Sequence, residues 1–289
     1  YPFDTVKEFG ISNLTNLSFV NGDISDKNTI KKSLDGVDRV IHGAAYADVA
    51  GCIENYDIDF KVNVIGTQNM LECSLESNVK HFTFISSAAV YGNPVSDKEA
   101  IFTENQVCYP VSTYGNSKLW GEQQTRIFSE LYGLPSSSTR LFSVYGPPQI
   151  PKLGSHSWCV AIFAMQALKS LPLTINGNGE QVRDFTHVSE IAEGIIRTTE
   201  TDSTIGKTIN IGTGKSTTIN EIADAIKNRF ENLKVVYQPL PKGDPLGGHA
   251  DVKLMENLLE WRPTMAIKDG VNDYLDWVLV NKHLIPEWL

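Results

Sequence analysis

Short apolar or β-branched runs alternate with longer amphipathic stretches through the first half of the chain. That rhythm predicts parallel strands joined by covering helices. The predicted strands are 17–20, 39–42, 81–86 and 138–142, and the predicted helices 26–34, 58–77 and 112–132 carry apolar residues at helical spacing. The pattern loosens after Gly146-Pro147-Pro148, through a Gly- and Pro-containing stretch at 147–154. A helix is then predicted over 158–169, a strand at 173–175, a helix after His187, a strand at 208–211, a helix over 219–230 and a strand at 234–237. The segment 251–277 reads as two helices. No internal repeat interrupts this order.

Composition narrows the function classes. Hydrophobic residues make up 41% and charged residues 20% of 289, as in ordinary globular proteins, so the chain can bury a sizeable core. A net charge of -9 argues against nucleic acid or an anionic membrane as partner, because both require a basic surface. Any anionic ligand is gripped locally. No run reaches the roughly 18 apolar residues of a membrane span. The four cysteines, Cys52, Cys73, Cys108 and Cys159, form no CxxC pair, as expected of reduced thiols in the cytoplasm. The six histidines show neither HxxxH nor HExxH spacing, so no metal site is expected. Cys108 is read as a small buried hydrophobe rather than a nucleophile.

The sharpest chemical feature is Tyr114-Gly-Asn-Ser-Lys118 at the start of a predicted helix. Tyr and Lys at i and i+4 share a helix face, so an ammonium can sit beneath the phenol and favour its ionised form. A free tyrosine titrates near ~10, and a working base near neutrality needs about 4 kcal/mol of extra stabilisation of the phenolate. Such a pair is common by chance, and two solvated helix residues are the plain alternative. Here it follows a strand ending Phe84-Ile-Ser-Ser87-Ala-Ala-Val-Tyr-Gly92, whose terminal hydroxyl lies where open α/β sheets bind ligands.

Ser-Ser-Ala-Ala-Val-Tyr-Gly followed by Tyr-Gly-Asn-Ser-Lys resembles the extended short-chain dehydrogenase/reductases, in the branch of sugar-nucleotide epimerases and dehydratases, including the UDP-glucose 4-epimerases. Further matches run in order: Asn21-Gly-Asp23-Ile24, His42-Gly-Ala44-Ala45, Asn63-Val-Ile-Gly-Thr67, Arg140-Leu-Phe-Ser143-Val144-Tyr145-Gly146, Gly177 to Phe185 and Asn210 to Gly214. The resemblance implies a Rossmann-like doubly wound parallel sheet, with a nucleotide-binding region in 1–147, some later segments returning to it, and a mainly substrate-binding region in 148–289. It implies Tyr114, Lys118 and Ser87 as the catalytic set. Asp23, Ile24, Ala44, Ala45, Asn63, Tyr114, Lys118 and Val144 are then cofactor contacts, and Ser87, Tyr114, Ser143, Arg183 and Lys242 substrate contacts. The implied cofactor is NAD, with NADP as the alternative, and the implied substrate a nucleotide sugar. Asn63 is expected to brace the central strands. Two local alternatives stand beside these roles: Ser87 as a turn cap, and Arg183 in a surface ion pair. Apolar residues on the helices 58–77 and 112–132 are implied to form a homodimer contact, with core packing as the other reading.

Three departures sharpen the expectation. No Gly-x-x-Gly-x-x-Gly precedes Asp23, so the first β-α-β unit and its phosphate-binding loop are expected to lie outside this sequence. Ala88 and Ala89 stand where the family's dehydratases carry the Asp-Glu pair that expels water, and methyl groups cannot move protons. This leaves a C4 epimerase, with a 4-keto-sugar reductase or a non-catalytic binding module as rivals. Ser143 replaces a common Asn, Lys242-Gly-Asp244 stands where an Arg is frequent, and Leu246-Gly-Gly248 lacks a nearby Arg, so the sugar and nucleotide stay open.

Overall fold

A computed structural model describes residues 16–93, 100–153, 158–239 and 247–289. Its centre is a four-stranded, wholly parallel sheet in the order β1-β2-β4-β9, formed by Arg39–His42, His81–Ser87, Ser136–Leu141 and Thr208–Ile211. The strand at 208–211, expected with the substrate region, is instead the fourth strand of this sheet, with Ser138 opposite Thr208 and Leu141 opposite Ile211. The run 17–20, expected as a strand, forms none. Apolar character alone does not make a strand without a neighbour to complete its ladder, and Val20 is 65% exposed.

Alternation along β2 assigns a helix to each face. Phe82 and Phe84 share a core with Ile30, Leu71 and Phe128, which α1 (Lys27–Ser33), α4 (Thr67–Glu76) and α5 (Thr113–Tyr132) supply, and with Leu134 just after α5. Thr83 points the other way, and its hydroxyl meets Thr199 Oγ1 of α7 (Val188–Glu200) at 2.8 Å. The helix expected over 58–77 is a continuous helical stretch: α3 (Tyr56–Asp59), a π-helical segment (Phe60–Gly66) and α4. A short α2 (Val49–Glu54), not anticipated from the pattern, precedes it.

The second half builds its own apolar core from α6 (Cys159–Leu168), α8 (Ile219–Lys227) and α10 (Ile267–Val280), with Leu173 and Ile175 of β6 (Leu173–Asn176). Val235–Gln238, β11, pairs parallel to β6. A second small sheet joins Thr217–Thr218 (β10), Val182–Arg183 (β7), Gly247–Ala250 (β12) and Ala100–Phe102 (β3). The remaining pair is Val144–Tyr145 (β5) with Thr186–His187 (β8). The last two helices fall where expected, α9 at Lys253–Leu259 and α10 after it.

Candidate active site

The carboxyl end of β2 delivers Ser87, and the first turns of α5 deliver Tyr114 and Lys118 beside it. Ser112 starts α5 by accepting the Gly115 N–H at 3.1 Å, which fixes the register of the two following site residues. Gly115 is required for close approach: a Cβ there would lie 2.6 Å from Ala89 O, in the turn Ala88–Val90 that follows Ser87. Ser87 does act as a cap, accepting the Ala89 N–H at 3.2 Å, and its hydroxyl is near enough to the Tyr114 phenol to favour the ionised form.

Burial dominates the electrostatics. It pushes the Tyr114 phenol up to about 12, opposed by the Ser87 bond and reinforced by the nearby Cys52 and Asp59. It brings Lys118 down to about 8, opposed by the negative charge of Asp59. Lys118 Nζ donates to Ile85 O at 2.8 Å, lies 5.0 Å from the Phe84 ring centroid and stands 5.8 Å from that of Tyr114. The lysine is thus on the expected side of the tyrosine, but its ammonium is tied to a β2 carbonyl rather than set beneath the phenol oxygen. A Lys head buried this deeply needs an acceptor, and here it takes a carbonyl near the end of β2.

Asn63 clamps the backbone of Tyr46 in the loop after β1, accepting its N–H at 2.8 Å and donating to its C=O at 3.1 Å. That loop carries Ala44, exposed, and Ala45, half-buried. Asn63 therefore braces the loop beside the strands rather than the strands themselves. Ile24 packs on Gly66 of the same helical stretch, where a Cβ would lie 2.4 Å from its Cδ1, and its C=O accepts from Asn69 at 3.1 Å. Asp23 is exposed, and the Ser25 backbone N–H bonded to its carboxylate holds it below the usual carboxylate range.

Ser143 and Val144 follow β4, both half-buried, and Ser143 O accepts the Thr186 N–H at 3.1 Å. Arg183 is half-buried in β7, away from the Tyr114 turn in the second sheet, and its Nη1 donates to Val182 O at 2.8 Å. Gly247, noted in the sequence only for the arginine its neighbourhood lacks, has a positive φ of 92°. A Cβ there would lie 2.5 Å from Arg183 Nη1, so glycine lets β12 lie against this arginine. Lys242 lies outside the described residues. Among the described residues no group of three or more His, Cys, Asp or Glu could hold a metal ion.

Several residues that shape the site escape motif reading. Glu122, one turn after Lys118, receives Arg140 Nε and Nη2 at 2.9 and 2.8 Å and Ser86 Oγ at 2.5 Å, which locks α5 to β2 and β4. Arg140 also stacks 4.7 Å from the Tyr91 ring, whose hydroxyl donates to Asn210 Oδ1 at 2.6 Å. Asp184, beside Arg183, accepts the N–H groups of Thr213, Gly214 and Ala250 at 2.8, 3.0 and 3.1 Å, and so fixes the strand that carries the arginine. Asp59 and Cys52 are buried, and Asp59 meets Ser117 of the turn that carries Tyr114. A spacing of Lys118 to Glu122 at i, i+4 was the one available signal for the first of these.

A family model described as the NAD dependent epimerase/dehydratase family matches residues 5–212. The chain belongs to this family. It is 34% identical over 266 residues to a putative UDP-glucose 4-epimerase of Methanocaldococcus jannaschii, covering 91% of this chain and 84% of that one. It is 30% identical over 275 residues to a UDP-glucuronate 4-epimerase of Thermodesulfobacterium geofontis, covering 93% and 82%. Among solved structures it resembles the UDP-glucose 4-epimerase of Thermotoga maritima, with a TM-score of 0.86, 29% identity and coverage of 96% and 94%. A UDP-glucuronic acid 4-epimerase of Bacillus cereus, solved with UDP-glucuronic acid and NAD, matches with a TM-score of 0.87, 27% identity and coverage of 96% and 86%.

The family's cofactor is NAD, and the residues present fit it. Lys118 has three N–H donors, and Ile85 O is its one hydrogen-bond partner among the described residues, so donors remain for ribose hydroxyls. Among the described residues no helix is long and apolar enough to cross a membrane.

Proposed function

We propose that the protein is an NAD-dependent 4-epimerase of a nucleotide sugar, with Tyr114 as base, Ser87 as its hydrogen-bond partner and Lys118 as the residue that holds the cofactor ribose. The observation that carries this is the meeting of Ser87, at the carboxyl end of β2, with Tyr114, at the start of α5, one helix turn from a buried lysine and beside the methyl groups of Ala88 and Ala89. Bound NAD supplies a hydride acceptor and donor. Tyr114 removes the proton of the sugar C4 hydroxyl, Ser87 orients that hydroxyl, and the resulting 4-keto sugar turns in the pocket before Tyr114 returns the proton. With methyl groups at 88 and 89, no side chain there assists loss of water, which favours epimerisation over dehydration.

With burial pushing the phenol up to about 12, its use as a base near neutral pH requires several kcal/mol, on the order of 7, of stabilisation of the phenolate. Burial that raises the phenol also strengthens any positive charge brought against it, and this is where the bound cofactor and Lys118 act. Asp23, Ile24, Ala44, Ala45, Asn63 and Val144 are assigned to the cofactor, and Ser143, Arg183 and Lys242 to the substrate, with Arg183 suited to a diphosphate by its planar fork.

A homodimer through the helices 56–76 and 113–132 is supported by Tyr56, Phe60, Leu131 and Tyr132, which are 70%, 58%, 73% and 58% exposed. Four free cysteines support a reducing, cytoplasmic setting. The test of the reaction is incubation of the purified protein with NAD and UDP-glucose, UDP-glucuronate or UDP-N-acetylglucosamine in turn. The expected result is a C4 epimer with no net change in reduced cofactor. Stoichiometric loss of reduced cofactor on a 4-keto sugar, with no epimer from any of the three, would favour a reductase instead.

A further inference from the structure

Tyr91 closes the turn that follows Ser87, is buried, and donates its hydroxyl to Asn210 Oδ1 at 2.6 Å. Asn210 belongs to β9 of the central sheet and is itself fully buried. Its Nδ2 donates to Phe102 O of β3 at 2.9 Å and to Asp251 O, just after β12, at 3.4 Å. Both carbonyls can only accept, so the amide must turn its NH2 to them and its oxygen to Tyr91. On the backbone side, Asn210 N donates to Glu104 Oε1 at 3.0 Å, and Glu104 O accepts Arg140 Nη1 at 3.3 Å. Arg140 is the partner of Glu122, one turn after Lys118 on α5.

The two strands that Asn210 reaches lead to Arg183. Phe102 of β3 pairs with Ala250 of β12, and β12 pairs in turn with β7, with Gly248 opposite Arg183. One side-chain amide therefore ties the sheet that carries Arg183 to the turn that follows Ser87. Apolar contact runs along the same route: the Tyr91 and Phe102 rings stack with centroids 4.9 Å apart and planes 20° apart. Apolar contact is non-directional, whereas a hydrogen bond closed off from water fixes both distance and direction. The polar link is thus the one that sets the spacing between the two regions.

Resting on the roles proposed above for Ser87, Tyr114 and Arg183, we infer that Tyr91 and Asn210 are positioning residues whose hydrogen bond aligns the sheet that grips the diphosphate with the turn that receives the sugar C4 hydroxyl. A nucleotide sugar is held at both ends. A shift between the two regions moves C4 away from Tyr114 without loosening the grip on the diphosphate, and a misplacement of about 1 Å costs on the order of 10²-fold in rate. The loss therefore falls on kcat rather than on binding.

The test compares wild type, Tyr91→Phe, Asn210→Leu and the double variant. For each, kcat and KM are measured with NAD and whichever of UDP-glucose, UDP-glucuronate and UDP-N-acetylglucosamine the wild type turns over, and the Kd of UDP is measured by calorimetry. Each single variant is expected to lose roughly 10-fold or more in kcat, with KM and the UDP Kd within about twofold of wild type. Adding Tyr91→Phe to Asn210→Leu is expected to cost nothing further, because both remove the same bond. A role in packing alone would lower the urea midpoint and leave kcat of the folded protein where it was. Unchanged kcat in folded Tyr91→Phe, a loss of UDP affinity that accounts for the loss of rate, or independent losses in the double variant would overturn the inference. If Asn210→Leu does not fold, Tyr91→Phe, which removes one oxygen atom, decides the matter by its kcat and UDP Kd. Wild type that binds UDP and NAD yet forms no epimer would overturn the epimerase reading and the inference with it, whereas active wild type with unmoved variants overturns the inference alone.

Discussion

Around Met165, Ile222 and Val271 the interior of the second half is apolar throughout. Between the parallel sheet and α5, by contrast, the interior holds Lys118, Glu122, Arg140, Ser136 and Thr125, all nearly inaccessible to solvent. The first interior is held by volume and area removed from water, and tolerates exchange of one apolar shape for another. The second is held by partners. Ser136 Oγ donates to Thr125 O at 2.9 Å, Thr125 Oγ1 to Gly121 O at 2.8 Å, and Glu122 closes on Arg140 through both oxygens. Loss of one partner there strands another, whereas loss of a methyl group in the apolar core leaves only a cavity. Chemistry sits in the polar interior because perturbed side chains require it.

The largest effect should come from the polar interior without loss of fold. Tyr114→Phe is expected to lower turnover by roughly 10²–10⁴-fold with an unchanged urea midpoint, since only a hydroxyl is removed. Glu122→Ala should cost about 3–5 kcal/mol in urea unfolding, because the buried Arg140 guanidinium loses its counter-charge. Ile222→Ala, fully buried on α8, should cost about 2–5 kcal/mol and leave the pH profile of activity untouched, which separates the two interiors directly.

Lys118 gives a pH signature. Burial brings it from 10.5 to about 8, so between those values the unfolded chain holds a proton that the folded one has released. Stability therefore rises with pH in that window. Wild type should gain on Lys118→Met by up to about 3 kcal/mol between pH 8 and 10.5, read from unfolding curves at each pH. The smallest effect is at the rim of the apolar half: Thr218→Ala removes the capping box with Glu221 and should cost about 1 kcal/mol with no change in turnover.

The same contrast decides what could be read from the sequence. Helices α5, α6, α8 and α10 follow from apolar spacing, and the strands of the main sheet were found to within a few residues except where the interior is polar. Ser136 and Ser137 start β4 as buried residues, yet nothing in their polarity announces burial. That Ser87, Tyr114 and Lys118 lie together was legible because the motif spacing is fixed by one strand end and one helix turn. Asp59, Glu122 and Asp184 were not, because each acts through contacts between elements distant in sequence. The run at 17–20 misled because strand propensity was counted without asking for a neighbour. Arg183 was legible as a residue type, but its neighbour Gly247 was read only as a missing arginine.

The central claim is that hydride leaves C4 of the sugar and returns to the same carbon. The direct measurement is incubation of the protein and NAD with UDP-glucose deuterated at C4, followed by NMR of the epimer formed. Retention of deuterium at C4 of the epimer is the predicted result, whereas washout of the label into solvent, or no epimer from a preparation with NAD bound, would contradict the account.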